Sequence, residues 1–78
     1  MPFANYHAAR LKDPGEFEMF RYKRDALGDG VDAVYGISGG KTELQSIRFK
    51  ADKFTSAEAR AWLREHEFKP ILFEEASA

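Results

Sequence analysis

The sequence predicts a small α+β fold, a two-layer sandwich in which an antiparallel sheet of three to four strands supports one main helix. Three observations predict this class. Alternating apolar segments flank a Gly-Gly pair, a capped amphipathic helix follows them, and a short apolar segment comes last. The 78 residues are enough for one hydrophobic core, so we treat residues 1–78 as a single domain.

The first third of the chain gives the weakest structural signals. Asn5 can cap a helical turn that runs to Arg10 or Leu11, so we expect coil or a short helix there. Residues 13–15, Asp-Pro-Gly, are typical of a turn. The aromatic segment that follows predicts a short strand over residues 20–24 with an irregular lead-in.

A hairpin is the firmest part of the predicted sheet. Apolar residues occupy every second position of residues 31–37, which is typical of a half-buried strand. The Gly39-Gly40 pair accepts the positive φ values of a tight hairpin turn. We expect the return strand over residues 42–50, with Phe49 on one face and Leu44 on the other.

The helix is the clearest element. Thr55 and Glu58 have the spacing of a capping box. One apolar stripe has i, i+3, i+4, i+7 spacing and comprises Ala59, Trp62, Leu63 and His66. The helix should end before Pro70, and residues 70–74 predict a last short strand. The predicted order after the N-terminal coil or short helix is therefore β-β-β-α-β.

Composition excludes several kinds of protein. There is no Cys, which rules out disulfides and thiolate metal sites. Twelve basic and thirteen acidic residues give a net charge of −1, which argues against a protein that holds nucleic acid through phosphate contacts. No apolar stretch approaches the roughly 18 residues of a membrane span, and the N-terminus lacks the pattern of a signal peptide. We expect a soluble, cytoplasmic protein that binds no membrane.

The sequence offers no catalytic grouping. It contains no nucleophile elbow, no His-Glu metal motif and no paired flanking carboxylates. His7 and His66 are far apart in sequence, so a zinc site with carboxylates is weakly supported. We therefore expect no enzyme activity, no metal and no cofactor.

Four residues are candidates for binding a partner: His7, Arg10, Arg21 and Arg48. We expect them to gather as a positive patch along one sheet edge. His7 and Arg10 are three apart, so a helical turn would place them on one side. They form either an anion site or, the reading we favour, a hydrogen-bonded polar latch that fixes the N-terminal segment.

Residues 20–24, Phe-Arg-Tyr-Lys-Arg, are the only basic cluster with interleaved aromatics. Such a cluster can hold single-stranded nucleic acid. The acidic residues elsewhere offset its charge, so a solvated strand face is the favoured interpretation.

Several segments together resemble a known module. They are residues 5–14, Phe17, Phe20-Arg21, residues 44–49, residues 54–63 and Phe73-Glu74. They resemble a small uncharacterised module of tailed bacteriophages and prophages, which occurs alone or attached to head-maturation (prohead) protease-like proteins. The usual form of the module has Asn-Glu-His where this chain has Asn5-Tyr6-His7. The resemblance implies a phage or prophage origin and a link to capsid assembly, and it transfers no active site.

The leading functional hypothesis is a phage- or prophage-derived protein-interaction module, accessory to head assembly or maturation, with a phage or host protein as its partner. Two alternatives stay open: a nucleic-acid-binding accessory protein that uses residues 20–24, and a small inhibitor of a host enzyme. An exposed strand edge could also pair two copies into a homodimer.

Overall fold

The computed structural model describes residues 4–77, which form an antiparallel sheet and one α-helix. The strands are β1 (Tyr6–Arg10), β2 (Met19–Gly28), β3 (Val31–Ser38), β4 (Lys41–Lys50) and β5 (Leu72–Glu74), and helix α1 spans Ser56–Glu65. A 3-10 turn over Pro14–Glu16, capped by Asp13, follows β1 at the predicted turn. The predicted α+β class is confirmed.

The sheet is larger than predicted. It has five strands in the order β2-β3-β4-β1-β5, and the element order is β-β-β-β-α-β. The expected coil or short helix over residues 5–11 is wrong, because β1 pairs with β4 on one side and with β5 on the other. Two ladders of backbone hydrogen bonds outweigh the high helix propensity of Ala8 and Ala9, because local propensity is a weak determinant compared with tertiary pairing.

The hairpin between β3 and β4 is confirmed, with Gly39 and Gly40 at φ 56° and 80°. The ladder shifts register further along, where Val34 pairs with Ser46 but Tyr35 pairs with Leu44. The residue between these two partners is therefore an extra residue in β4, a β-bulge. The bulge brings Leu44 to the core side, so the expectation that it lies on the face opposite Phe49 is wrong.

Strand β2 begins at Met19, one residue before the predicted start, and the predicted irregular lead-in corresponds to Phe17 and Glu18, which lie outside the strand. The strand pairs in register with β3 from Met19 to Lys23, and the shift comes between Lys23 and Gly28. Asp25, in the shifted part, has a φ of 54°. An additional irregularity, which the sequence does not predict, therefore lies within the strand, and Gly28 at its end still pairs with Val31.

Helix α1 covers one face of the sheet, which we call the helix face. Its capping box is present, with Glu58 N–H donating to Thr55 Oγ1 at 3.1 Å and Thr55 N–H donating to Glu58 Oε1 at 2.9 Å. The buried core joins two helix residues to three strands and comprises Ala59, Leu63, Ala9, Val31, Ile47 and Phe49. Trp62 packs edge-on against Phe49, with ring centroids 5.5 Å apart. Trp62, which belongs to the predicted apolar stripe, therefore packs against the sheet.

Candidate functional site

Strand register defines a second face of the sheet, which we call the open face. Arg48 pairs with Ala8 on one side and with Asp32 on the other, and Arg10 pairs with Ser46. Paired residues and residues two apart along a strand point to the same side. These five residues therefore share the face that lies opposite the helix face.

A groove of about 340 Å³ lies on the open face. Ala8, Val34 and Ser46 supply small or short side chains to its lining, and Phe20 supplies a large one. The Phe20 side chain is 48% exposed. The open face thus offers a depression that is bordered by an accessible aromatic ring.

The groove also carries charge of both signs. Arg10 and Arg48 contribute two guanidinium groups to its lining, and Glu74 of β5 contributes a carboxylate. Glu74 is positioned there by its pairing with Ala8. The site therefore combines two cations and one anion beside an apolar ring.

The aromatic side of the groove depends on a glycine. Phe17 lies across Gly36, so close that a Cβ built on Gly36 would lie 2.6 Å from Cδ1 of the Phe17 ring. Phe17 packs edge-on against Phe20, with ring centroids 6.1 Å apart. Gly36 pairs with Phe20 in the ladder, so the missing side chain makes the space that Phe17 fills.

A polar cluster adjoins the arginines. Asp32 is completely buried and accepts hydrogen bonds from the Tyr22 hydroxyl and, at 2.8 Å, from the Asp25 N–H. The Arg48 guanidinium carbon lies 5.3 Å from the centroid of the Tyr22 ring, within the range of a cation–π interaction. Burial and then the hydrogen bond to Asp32 raise the pKa of the Tyr22 hydroxyl above its usual range. The Tyr22 hydroxyl therefore keeps its proton, and its hydrogen bond to Asp32, at alkaline pH values where an ordinary tyrosine ionises.

His7 lies on the other face, because it pairs with Phe49. It is buried, its Nδ1 accepts a hydrogen bond from the Ala76 N–H at 2.9 Å, and its Nε2 lies 2.9 Å from the Phe54 carbonyl oxygen. Since Nδ1 accepts, Nε2 must carry the proton that is donated to Phe54. His7 thus joins β1 to the segment before α1 and to the C-terminal segment. It forms a latch without Arg10, the other residue of the predicted latch, which lies on the open face.

The four predicted binding residues do not form one patch. Arg10 and Arg48 meet in the groove, whereas His7 is a buried latch on the helix face. Arg21 is exposed and pairs with Tyr35, so it also belongs to the helix-face side of its strand. His7 and Arg10 separate because residues three apart in a strand point to opposite faces. A binding role for any of the four stays a prediction.

Sequence reasoning missed the part played by Phe17, Gly36 and Glu74. The sequence predicts an irregular lead-in at Phe17 and the interior of a strand at Gly36. A glycine inside a strand often marks a close approach of another group, and that signal could have pointed to an aromatic cover. Glu74 could not be placed, because its position depends on the pairing of β5 with β1.

Among residues 4–77, no group of three or more His, Cys, Asp or Glu side chains is arranged to hold a metal ion. The same described residues contain no helix that is long and apolar enough to cross a membrane. No protein-family model, curated protein or solved structure matches this chain.

Proposed function

We propose that this chain is a protein-interaction module and that the open face is its binding surface. One observation carries the proposal: Arg10, Arg48 and the exposed Phe20 line the same groove. Arg is enriched in protein interfaces, as are aromatic residues, and the two residue types commonly supply most of the binding energy.

The chemistry of the groove selects a kind of partner. A guanidinium group presents its donors in a planar fork that matches a carboxylate. Arg48 is held against the Tyr22 ring. Part of the conformational entropy of its side chain is therefore already lost in the free protein, which lowers the entropic cost of binding. Phe20 offers an apolar ring beside these donors. The preferred partner segment therefore carries a carboxylate next to an aliphatic or aromatic side chain.

A nucleic acid fits the open face less well. Glu74 lines the groove and would repel a phosphate backbone. Arg48 lies over the ring of Tyr22, so a base would have to displace it in order to stack there. The net charge of −1 supplies no compensating attraction.

The biological setting of the proposal comes from the sequence resemblance alone. We propose that the module is of phage or prophage origin and accessory to head assembly or maturation. A capsid protein or a maturation protease is then the partner to test first.

The test is a nuclease-treated pull-down with the tagged chain, in the presence of phage and host proteins. Wild type is compared with the double variant Arg10→Ala plus Arg48→Ala. The matched control is Arg64→Ala plus Lys69→Ala, which removes two exposed cations outside the groove. Recovered proteins are identified by mass spectrometry and then titrated in purified form by calorimetry.

We expect one protein to bind wild type and control alike and to lose binding to the groove variant, whose circular dichroism stays unchanged. A partner that still binds the groove variant at full affinity would contradict the open face as its site. Recovery that disappears with nuclease would instead favour the nucleic-acid alternative.

A further inference from the structure

Strand β2 forms one edge of the sheet. In the described part of the chain it pairs with β3 on one side and with no strand on the other. Every residue from 19 to 25 is exposed, and three large apolar side chains are among them: Met19 at 60%, Phe20 at 48% and Tyr22 at 43%. An edge strand presents outward-pointing N–H and C=O groups that can pair with another chain. The edge therefore offers both backbone and side-chain contacts.

The charge of this edge disfavours pairing with a second copy. Arg21, Lys23 and Arg24 are all exposed, while the Asp25 carboxylate accepts a hydrogen bond from the Gly30 N–H at 3.0 Å. If two β2 strands paired, these cations would face one another, and like charges across a ladder are destabilising. An acidic strand would instead complement them.

Register determines what each side of an added strand would meet. Phe20 and Tyr22 pair with Gly36 and Val34 on the open-face side, whereas Arg21 lies on the helix-face side. Lys23 shares that second side, because it is two residues from Arg21. A bound strand would therefore meet aromatic rings with one set of alternate side chains and cations with the other set.

We propose that the edge of β2 binds an extended segment of a protein partner as an added strand, and that this segment alternates acidic with apolar residues. The acidic residues face Arg21 and Lys23, and the apolar residues face Phe20 and Tyr22. The regular stretch from Met19 to Lys23 sets the length of the pairing at five residues. Main-chain hydrogen bonds supply affinity, and the alternating side chains supply selectivity.

The inference rests on the proposed role in protein binding but names a different surface from the groove. The probe is an acetylated and amidated octapeptide of alternating Glu and Val, titrated into the isotope-labelled chain and followed by amide chemical shifts. Two control peptides are used. One has the same composition arranged as four Glu followed by four Val, and the other has its four central amide nitrogens methylated.

We expect saturable shifts at residues 19–24 with the alternating peptide and only weak shifts with the two controls. Arg21→Glu plus Lys23→Glu should weaken binding by about tenfold or more, since each substitution replaces an attractive cross-strand pair by a repulsive one. The matched reversal Arg64→Glu plus Lys69→Glu, on exposed residues outside the edge, should change the affinity by less than about twofold.

The remaining outcomes overturn the proposal. If the shifts appear at Ala8 and Ser46 rather than at β2, the peptide binds the groove, and the proposed function stands without the edge. Equal binding of the methylated peptide rules out strand pairing. Saturable shifts at β2 with an eight-nucleotide oligothymidylate, but not with the peptide, would assign the edge to nucleic acid. Concentration-dependent shifts at β2 in the chain alone would assign it to a second copy.

Discussion

Replacing Tyr22 by Phe tests whether the polar cluster holds the open face together. The substitution removes the hydroxyl that donates to Asp32, whose carboxylate is fully buried. A hydrogen bond to a charged group contributes about 1.5–3 kcal/mol, and we take the lower value, about 1.5 kcal/mol, because Tyr22 is partly exposed. With an m value of about 1 kcal/mol per molar, the urea midpoint should fall by about 1.5 M.

The same variant should alter the dependence of stability on alkaline pH. The pKa of Tyr22 is raised in the folded chain, whereas an unfolded tyrosine titrates near its ordinary value of about 10. Above that pH the unfolded chain releases a proton that the folded chain still holds. The stability due to Tyr22 is therefore complete below pH of about 10 and is lost as the pH rises above it.

The assay is urea unfolding followed by circular dichroism at pH 7, 9, 10 and 11, with Tyr35→Phe as the control on the helix-face side of the sheet. The difference in unfolding free energy between wild type and Tyr22→Phe should be constant up to pH 9 and shrink above pH 10. A difference below about 0.5 kcal/mol at pH 7, no larger than an ordinary surface substitution gives, would refute the reasoning. A difference that does not shrink at high pH would refute the role of the hydroxyl proton.

Three further substitutions have defined outcomes. Gly36→Ala should destabilise the chain by about 1–3 kcal/mol, because its Cβ overlaps the ring of Phe17, and chemical unfolding measures the change. His7→Phe removes the acceptor of the Ala76 N–H, so hydrogen exchange at that amide should become faster while the amides of α1 keep their protection. Phe20→Ala should weaken partner binding at both proposed surfaces and change the unfolding free energy by less than about 1 kcal/mol, since the ring is half exposed.

Each of these outcomes has a control. Gly15→Ala, whose Cβ would lie 3.4 Å from an Asp13 oxygen, should cost less than Gly36→Ala. If the two cost the same, steric overlap with the aromatic ring is not the cause. Met19→Ala, also highly exposed on β2, should leave binding at the groove unchanged. Unchanged exchange at Ala76 after His7→Phe would contradict the latch.

Signals confined to a few neighbouring residues were predictable from the sequence. The capping box needs only Thr55 and Glu58, and the hairpin turn needs only two glycines, so both are confirmed as predicted. Strand β1 was not predictable, because its stability comes from pairing with β4 and β5, both of which are distant from it in sequence. Local propensity is a weak guide where such long-range pairing decides the conformation.

The candidate site shows the same division. Arg10 and Arg48 were singled out as cations, but their meeting in one groove follows from the pairing of β1 with β4. The same pairing separates His7 from Arg10, because alternate residues of a strand face opposite sides. A bulge of one residue decides the side on which Leu44 lies. Residue chemistry was therefore predictable, whereas the face on which each residue lies was not.

The single helix covers only one face of the five-stranded sheet, which leaves the open face to solvent, to its own side chains or to a partner. Phe17 covers Gly36, and Arg48 covers the ring of Tyr22. The ring of Phe20 stays accessible between the groove and the edge of β2. A strand added to β2 would place its apolar side chains beside that ring. It would also extend the open face by one strand. The edge and the groove would then act on one partner, with backbone pairing at the edge supplying affinity and the arginines supplying selectivity.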